Sequence, residues 1–517
     1  MTTRRVLLLF VCMVALSLGC GSAATPAPPD DAGSGGTGPS DAGTTDAGSS
    51  FDGGATATAD AGNVDGGNPD AGNPDAGNPD GGNPDGGDAD AGSDAGPAAT
   101  ACPTSFEPLP TGPAAPPVPA DAHAGELLKP AWEIRAPAGW MLRFGGTVDS
   151  SGNLYWLELK DGNQRLASAK IDGTVRFRVA TAAKGDSAGL LIASETVVSL
   201  SLEDMTRPVA TGYSTATGEQ LWRRELLPLI QGWYRETANN SRAAVFDGAV
   251  VSGGAVVLAL GTGYKTESGY LALDGASGSV LWVARTTDEA TLSMASPAAL
   301  SEDGALFGSQ ILRDHTAIFR FSAGNPPALS FSGPKNEIWG LLAAPGPVLF
   351  LSVTNDFFAP SHPEVRCQDG ALIARFDADV FFYAASSGNA WVAQRSGALS
   401  QYDVRTGRLK NRVQARPGWG AATSSAGVLW VEQSIEYPGG ASSARKQGAP
   451  TLRVLGPDGS EALRRALPQE PEAYNGTRSG SFGDRILFEG EVLPSAGSYG
   501  VIRAIDVPGW STGNVDR

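Results

Sequence analysis

The sequence predicts an all-β fold, an eight-bladed β-propeller of four-stranded antiparallel blades, with seven blades also allowed, preceded by a long disordered tether. Three observations lead there. From about residue 128 onward, short apolar or alternating runs are separated by Gly, Asp, Ser and Asn, with no long helical periodicity. A phrase made of a strand, a small-residue turn and a second strand recurs at intervals of about 37 to 60 residues. An isolated strand-like segment, AWEIRAP at residues 131–137, precedes the first complete repeat.

The chain opens on a processing signal, residues 1–19: Arg4 and Arg5, the apolar run Val6 to Leu18, and Gly19 before Cys20. The run is too short for a comfortable transmembrane helix. Its end, LSLGC, resembles the lipobox of bacterial lipoproteins, although Ser17 and Leu18 depart from the usual residues before Gly-Cys. That resemblance implies removal of the leader and acylation of Cys20, and several acyl chains anchor a protein stably where one does not. Gly21 lacks the Asp that retains some lipoproteins in the inner membrane, so an outer-membrane location in the cell envelope is expected. A plain secretory signal with an incidental Cys is the plainer alternative.

Residues 20–127 hold almost nothing to bury and include NPDAG and NPDGG repeats in tandem from Asn68 to Gly87. With 14 Asp in residues 21–100 and no Glu, Lys or Arg, this segment carries most of the formal charge of −17. Allowing for the two leader arginines, residues 101–517 carry only −5, a balance that argues against nucleic acid as a partner. Self-repulsion and proline predict an extended, unfolded tether of about 50 to 60 Å, longer if charge stretches it. The five-residue period reproduces neither an EF-hand loop nor the nonapeptide calcium repeat.

Residues 128–517 carry the strands. LYWLEL (154–159), TVRFRV (174–179), VVSLSL and VVLAL read as strands, and VFFYAAS, GNAWVAQ, ALSQYDV and RLKNRV supply four over residues 380 to 413. Nearly 400 residues of such strands make either a sandwich array or a propeller, and internal repetition favours the propeller. Turns fall near residues 173, 218, 278, 324, 370, 407, 458 and 508. The chain ends in GWSTGNVDR, which makes a weak last strand. AWEIRAP is therefore expected to pair with the C-terminal blade and close the ring, removing its open edges.

The best repeat, YLALDGASGSVLW at 270–282, has the pattern Leu-x-Ala-x-Asp-x-x-Thr/Ser-Gly-x-x-x-Trp, partly repeated at 212–222 and 402–410. It resembles the repeat of the pyrroloquinoline quinone family, shared by the quinoprotein enzymes and by non-catalytic relatives among bacterial lipoproteins. The resemblance implies that the Trp docks onto the neighbouring blade; Trp132, Trp222 and Trp282 match that position, and at the other repeats Phe, Leu or Val stands in. A sugar-stacking platform is the other use of such rings. Catalytic members bind the quinone and a calcium ion held by Glu and Asn, use an Asp base, and commonly stack an adjacent-cysteine disulfide on the cofactor. This chain has no adjacent Cys pair. Asp274, Asp314, Asp356 and Asp403 can be nominated as bases, yet no metal-ligand cluster accompanies them.

Other chemistry finds less support. GDSAG, Gly185 to Gly189, matches the Gly-x-Ser-x-Gly elbow of hydrolases, but a strand and not a helix is expected after it. His123, His315 and His362 lie apart in loop-like stretches, and GTGYKT at 261–266 lacks the glycine spacing of a phosphate loop. A polysaccharide-acting enzyme would need paired carboxylates across the central funnel. No cofactor is therefore assigned.

Cys12 leaves with the leader and Cys20 takes lipid, so Cys102 and Cys367 remain as an even pair in an exported protein. A bond between them would staple the tether to the fifth blade; a buried Cys367 with a free Cys102 is the alternative. The expected function is a lipid-anchored envelope scaffold, monomeric, that binds a protein or glycan partner. The competing expectation is an exported quinoprotein-type oxidoreductase using pyrroloquinoline quinone and calcium.

Overall fold

A computed structural model describes residues 101–507, apart from 231–243, 286–293, 437–445, 468–478 and shorter connecting segments. The leader, Cys20, the Asp-rich repeats, Asp314, Asp356 and most of GTGYKT lie outside the described residues. Strands of alternating or wholly apolar sequence fold locally into antiparallel meanders, because most of the described hairpins are closed by a Gly- or Asp-bearing turn, the Ser194–Glu195 turn being an exception. The only helical piece among the described residues is a single 3-10 turn, Leu227–Leu229.

Eight four-stranded antiparallel sheets follow one another along the described chain: residues 141–180, 186–225, 244–285, 294–332, 338–375, 380–414, 419–466 and 479–506. We number them first to eighth. In each of the first seven the strands pair in chain order, the fourth sheet having a split first strand and the seventh a small hairpin, Ile435–Glu436 with Lys446–Gln447, between its second and third strands. Such successive four-stranded sheets fit a β-propeller. The eighth takes its fourth strand from the other end of the chain. Trp132–Arg135 pairs antiparallel with Tyr499–Asp506, placing Trp132 opposite Ala504 and Arg135 opposite Val501. The strands expected at 154–159, 174–179 and 380–413 are found at Leu154–Lys160, Val175–Ala180 and the four strands from Val380 to Gln414.

Apolar side chains stand on both faces of the middle strands, so each sheet needs a neighbour on either side. The core is accordingly divided into clusters between consecutive sheets. Leu258, Leu271 and Val256 of the third sheet pack on Val198 and Leu200 of the second, while Tyr270 and Trp282 pack on Phe319 and Phe321 of the fourth. Ile502 and Ala504 of the eighth sheet meet Leu154, Trp156 and Ala167 of the first. Each such Leu or Ile, fully withdrawn from water, contributes about 1.5–3 kcal/mol.

The packed chain begins earlier than residue 128, the boundary expected from composition. Residues 101–117 and 123–128 lie against the fifth, sixth and seventh sheets. Phe106 is buried against Phe350, Tyr402 and Val365, and Leu128 against Leu463 and Leu467. Composition hides this strap, since Pro, Ala and Gly dominate it and only Phe106, Leu109, Leu127 and Leu128 offer sizeable apolar surface besides its valine. Short extended segments of this kind gain burial only from a surface that the rest of the chain builds.

The outer-strand tryptophans are held by close turns. Gly278, at φ +67°, lies under the Trp222 indole so tightly that a Cβ there would come within 2.5 Å of its ring. Replacing Gly278 by Ala should therefore cost more than about 1 kcal/mol, from the left-handed backbone and the clash together. Trp282→Ala, which empties a site only 9% exposed, should cost about 3–5 kcal/mol. Chemical denaturation of the purified protein measures both.

Candidate functional site

The three tryptophans singled out from the sequence occupy equivalent places. Trp132 donates its indole N–H to the carbonyl of Ile171 at 2.9 Å, Trp222 to Gly275 at 3.1 Å, and Trp282 to Ala323 at 3.0 Å. Each acceptor lies in the last hairpin turn of the following sheet, so the ring is buried at Trp282 and half-buried at Trp132 and Trp222 while its polar edge is satisfied by a backbone group of the turn. Other outer-strand residues dock similarly, two of them the Phe expected to stand in for Trp. Phe177 packs over Gly218 and Phe331 over Gly370, while Asn411 donates its side-chain amide to the Pro457 carbonyl at 3.1 Å. Their signal was position in the outer strand rather than residue type.

At the junction of the fifth and sixth sheets the strap does this work. The outer strand of the fifth sheet, Leu372–Arg375, is short, and the turn glycine Gly407 is covered instead by Ser105 and Phe106. The Glu107 amide donates to the Gly407 carbonyl at 2.8 Å, and the Tyr402 hydroxyl donates to the Glu107 carbonyl at 3.0 Å. Burial raises the Tyr402 phenol to about 12, aided by the charge of Glu107. Cys102 and Cys367 are joined by a disulfide, with Cα atoms 5.9 Å apart. Closing a loop across a sequence separation of 265 is worth about 5 kcal/mol in the chain-entropy model.

From this anchor the strap runs on over the next two sheets. Ala115 bridges Val413 in parallel, accepting a hydrogen bond from the Gln414 amide at 2.7 Å. Leu127 bridges Ala466 in parallel, with the Leu128 amide donating to the Ala466 carbonyl at 2.7 Å and the Ala466 amide to Glu126 at 2.9 Å. His123 lies in this stretch and pairs with Glu126 at 3.0 Å on the surface.

The nominated acids that fall within the described residues are turn residues. Asp274 Oδ1 accepts from the Ser277 amide at 2.8 Å and the Ser277 hydroxyl at 2.6 Å, and these bonds hold its carboxyl below the usual range. Burial pushes Asp403 upward, but hydrogen bonds from the Thr406 and Arg405 amides outweigh it and leave the carboxyl lowered. Stabilising the local turn is a sufficient role for both.

Buried carboxylates elsewhere are met by arginines across the sheet. Glu158 receives Arg165, Arg178 at 3.2 Å and the Trp156 indole N–H at 3.1 Å. Glu364 binds Arg375 at 2.6 Å and Arg366 at 2.8 Å, with His362 at 3.3 Å. Burial works to raise Glu364, yet the arginines, above all Arg366, prevail and lower it. Arg366 also lies 4.5 Å above the Trp339 ring. Arg453 bonds Glu461 at 2.7 Å and Glu432 at 3.1 Å, and Arg503 reaches Glu133 of the N-terminal strand at 2.8 Å. These pairs lie within single sheets, along one strand or across to another, and are spent on one another.

The GDSAG segment continues as a strand. Asp186–Ala193 pairs antiparallel with Thr196–Glu203, with Ser187 opposite Ser201, so the strand-to-helix turn of a nucleophile elbow is not formed. His315 and His362 enter separate sheets near Thr316–Ser322 and at His362–Cys367. Among the described residues no group of three or more His, Cys, Asp and Glu converges as a metal site would, and no helix is long and apolar enough to cross a membrane.

No protein-family model matches the sequence, and no curated protein matches it. Solved structures of similar shape include BamB from Moraxella catarrhalis, 11% identical over 72% of this chain and 97% of that one, TM-score 0.40. Quinohemoprotein alcohol dehydrogenase from Comamonas testosteroni is 10% identical over 75% and 78%, TM-score 0.46. A europium-containing methanol dehydrogenase is 11% identical over 70% and 84%, TM-score 0.43.

Changing Cys102→Ser should open residues 101–117 to limited proteolysis and lower the melting temperature, by an amount corresponding to about 2–5 kcal/mol. Mass mapping of the nicked sites checks that the loss begins in the strap. Because Asp274, Asp458 and Glu364 are all held below their ordinary values of 3.8 and 4.5, they stabilise the fold above that range. Their contribution is lost as pH falls through the lowered values. Calorimetry should show a melting temperature flat from about pH 8 to 6 and falling steeply below about pH 4. Glu364→Gln, which strands Arg366 without its counter-charge, should cost about 3 kcal/mol and flatten part of that acid slope.

Proposed function

We propose that the chain is a lipid-anchored protein of the cell envelope whose eight sheets are the blades of a propeller closed by Trp132–Arg135, serving as a non-catalytic scaffold for a protein or glycan partner. Residues 1–19 are the leader, Cys20 the acylated residue, and the Asp-rich stretch a spacer that holds the folded part off an outer-membrane surface. The protein acts as a monomer. The observation that carries this reading is how the described carboxylates are used. Asp274 and Asp403 accept turn hydrogen bonds, and Glu158, Glu364 and Glu461 are taken up by arginines. None of these is left as a poised base of the kind quinoprotein chemistry requires. The tryptophans are likewise used in docking, with their indole N–H groups bonded to carbonyls. The Cys102–Cys367 disulfide supports an exported location, since such bonds persist in oxidising compartments.

The alternative, a quinoprotein-type oxidoreductase, predicts that purified protein mixed with pyrroloquinoline quinone and calcium gains cofactor absorbance and reduces a dye with alcohols or sugars. The scaffold reading predicts neither. It also predicts that Cys20→Ser abolishes labelling by radioactive palmitate and moves the protein from the membrane to the soluble fraction, with the fold unchanged by circular dichroism. Dye reduction by the reconstituted protein would transfer the function to the enzyme reading.

A further inference from the structure

The chain between Cys102 and the first sheet visits the later sheets in their own order. Cys102 is bonded to Cys367, the last residue of His362–Cys367, the third strand of the fifth sheet. Glu107 lies on the sixth sheet, where its carboxylate accepts from the Leu409 amide at 3.2 Å and its own amide donates to Gly407. Ala115 is bridged to Val413 of the same sheet. Gly125 donates its amide to the Arg464 carbonyl of the seventh sheet at 3.2 Å, and Leu128 is buried in the cluster that holds Leu463 of the seventh and Ile505 of the eighth. The Ala131 amide then donates to the Ala504 carbonyl at 2.8 Å, Trp132–Arg135 completes the eighth sheet, and the Trp132 indole is held by Ile171 of the first.

The sheets are therefore closed on themselves in two ways. One closure is non-covalent: Trp132 to Arg135 pair with Ala504 to Val501, and Ile134, Ile502 and Ala504 pack on Leu154 and Trp156. The strand that makes it has only 4 residues, and short terminal elements open locally at much less than the global cost. The other closure is covalent. From Cys102 the backbone follows the fifth to the eighth sheet, enters the first, runs through the first five in chain order to Cys367, and returns to Cys102 through the disulfide. This path makes one circuit past all the sheets and needs no hydrogen bond to stay closed.

We propose that this circuit is a belt, which keeps the first and eighth sheets together whenever the pairing of Trp132–Arg135 opens, so that the ring recloses instead of spreading. The inference rests on the closed-propeller part of the proposed function and deepens it. Without the disulfide, the sixth to eighth sheets are joined by backbone to the rest of the ring at the fifth sheet alone. With it, a covalent link runs past them to the first sheet, and reclosure takes place at a high effective concentration. Cys102 also precedes each strap contact named above. A pull transmitted by the residues before it reaches Cys367 before it reaches Glu107, Ala115 or Trp132, which keeps the load of an N-terminal anchor off the closing strand.

Hydrogen exchange on the full chain reads the closing strand directly. Replacing both cysteines, Cys102→Ser with Cys367→Ser, should speed exchange at residues 131–135 and 501–504 by at least about tenfold, while residues 256–260 of the third sheet are unchanged. Phe106→Ala, which loosens the strap but keeps the bond, should speed exchange near residue 107 and leave 131–135 as they were. Inserting about twelve Gly and Ser residues between Pro119 and Ala120 adds about 20 Å of slack with the bond intact, and should speed 131–135 as loss of the bond does. If the double variant does not fold, the folded protein reduced with dithiothreitol and alkylated takes its place. Unchanged exchange at 131–135 after loss of the bond or after the insertion would overturn the belt, and so would an equal rise from Phe106→Ala. The bond would then be a local staple of the strap. Exchange at 131–135 as fast as in an unfolded chain, in the unaltered protein, would instead remove the closed ring itself.

Discussion

The structure depends on the docking of one sheet's outer strand onto the last turn of the next, as at Trp132, Phe177, Trp222, Trp282, Phe331 and Asn411. A four-stranded sheet with apolar side chains on both faces is not stable alone in water. Packing of the middle strands supplies most of the burial, but it is non-directional and would tolerate sliding. An indole N–H bonded to one particular carbonyl, over a glycine that admits no Cβ, is directional. Trp222 over Gly275 and Gly278 ties burial to register in this way, and Trp132 over Ile171 and Gly173 ties the N-terminal strand to the first sheet.

The strap extends the same logic to a place where the repeat is weakest. Leu372–Arg375 is short, and a Phe from outside the repeat fills the junction that an outer-strand aromatic fills elsewhere. Phe106 reaches that position from far away in sequence, which carries a large entropic cost for so small a patch of surface. The Cys102–Cys367 bond offsets that cost by constraining the unfolded chain. Covered edges follow as a second consequence, because the strap then runs over strands that would otherwise invite pairing.

Charge is organised by the same sheets. Glu158, Glu364 and Arg453 are buried, and each has a partner on an adjacent strand of its own sheet, Arg165, Arg375 and Glu461 respectively. Such pairs contribute little net stability over apolar residues of the same shape, but they penalise a one-residue slip, which would leave a buried charge unpaired. Register is thereby specified from within each sheet by charge and from between sheets by the docked aromatics.

Much of this was legible in the sequence. Alternation and turn residues located the strands, the Gly-bearing turns set their grouping, and AWEIRAP stood out because it lacked a preceding strand. Trp132, Trp222 and Trp282 could be read as docking residues because one large aromatic recurs at one position of a repeat. Local physics determined these features, since period, turn chemistry and burial tendency act within a few residues. The bond between Cys102 and Cys367 was one of two alternatives that the sequence left open, while the docking roles of Phe106 and Asn411 and the arginines of Glu158 and Glu364 were not legible. Only the tertiary structure decided them, because each depends on which surfaces the assembled sheets bring together, and that is a property of distance in space that no local pattern of residues encodes.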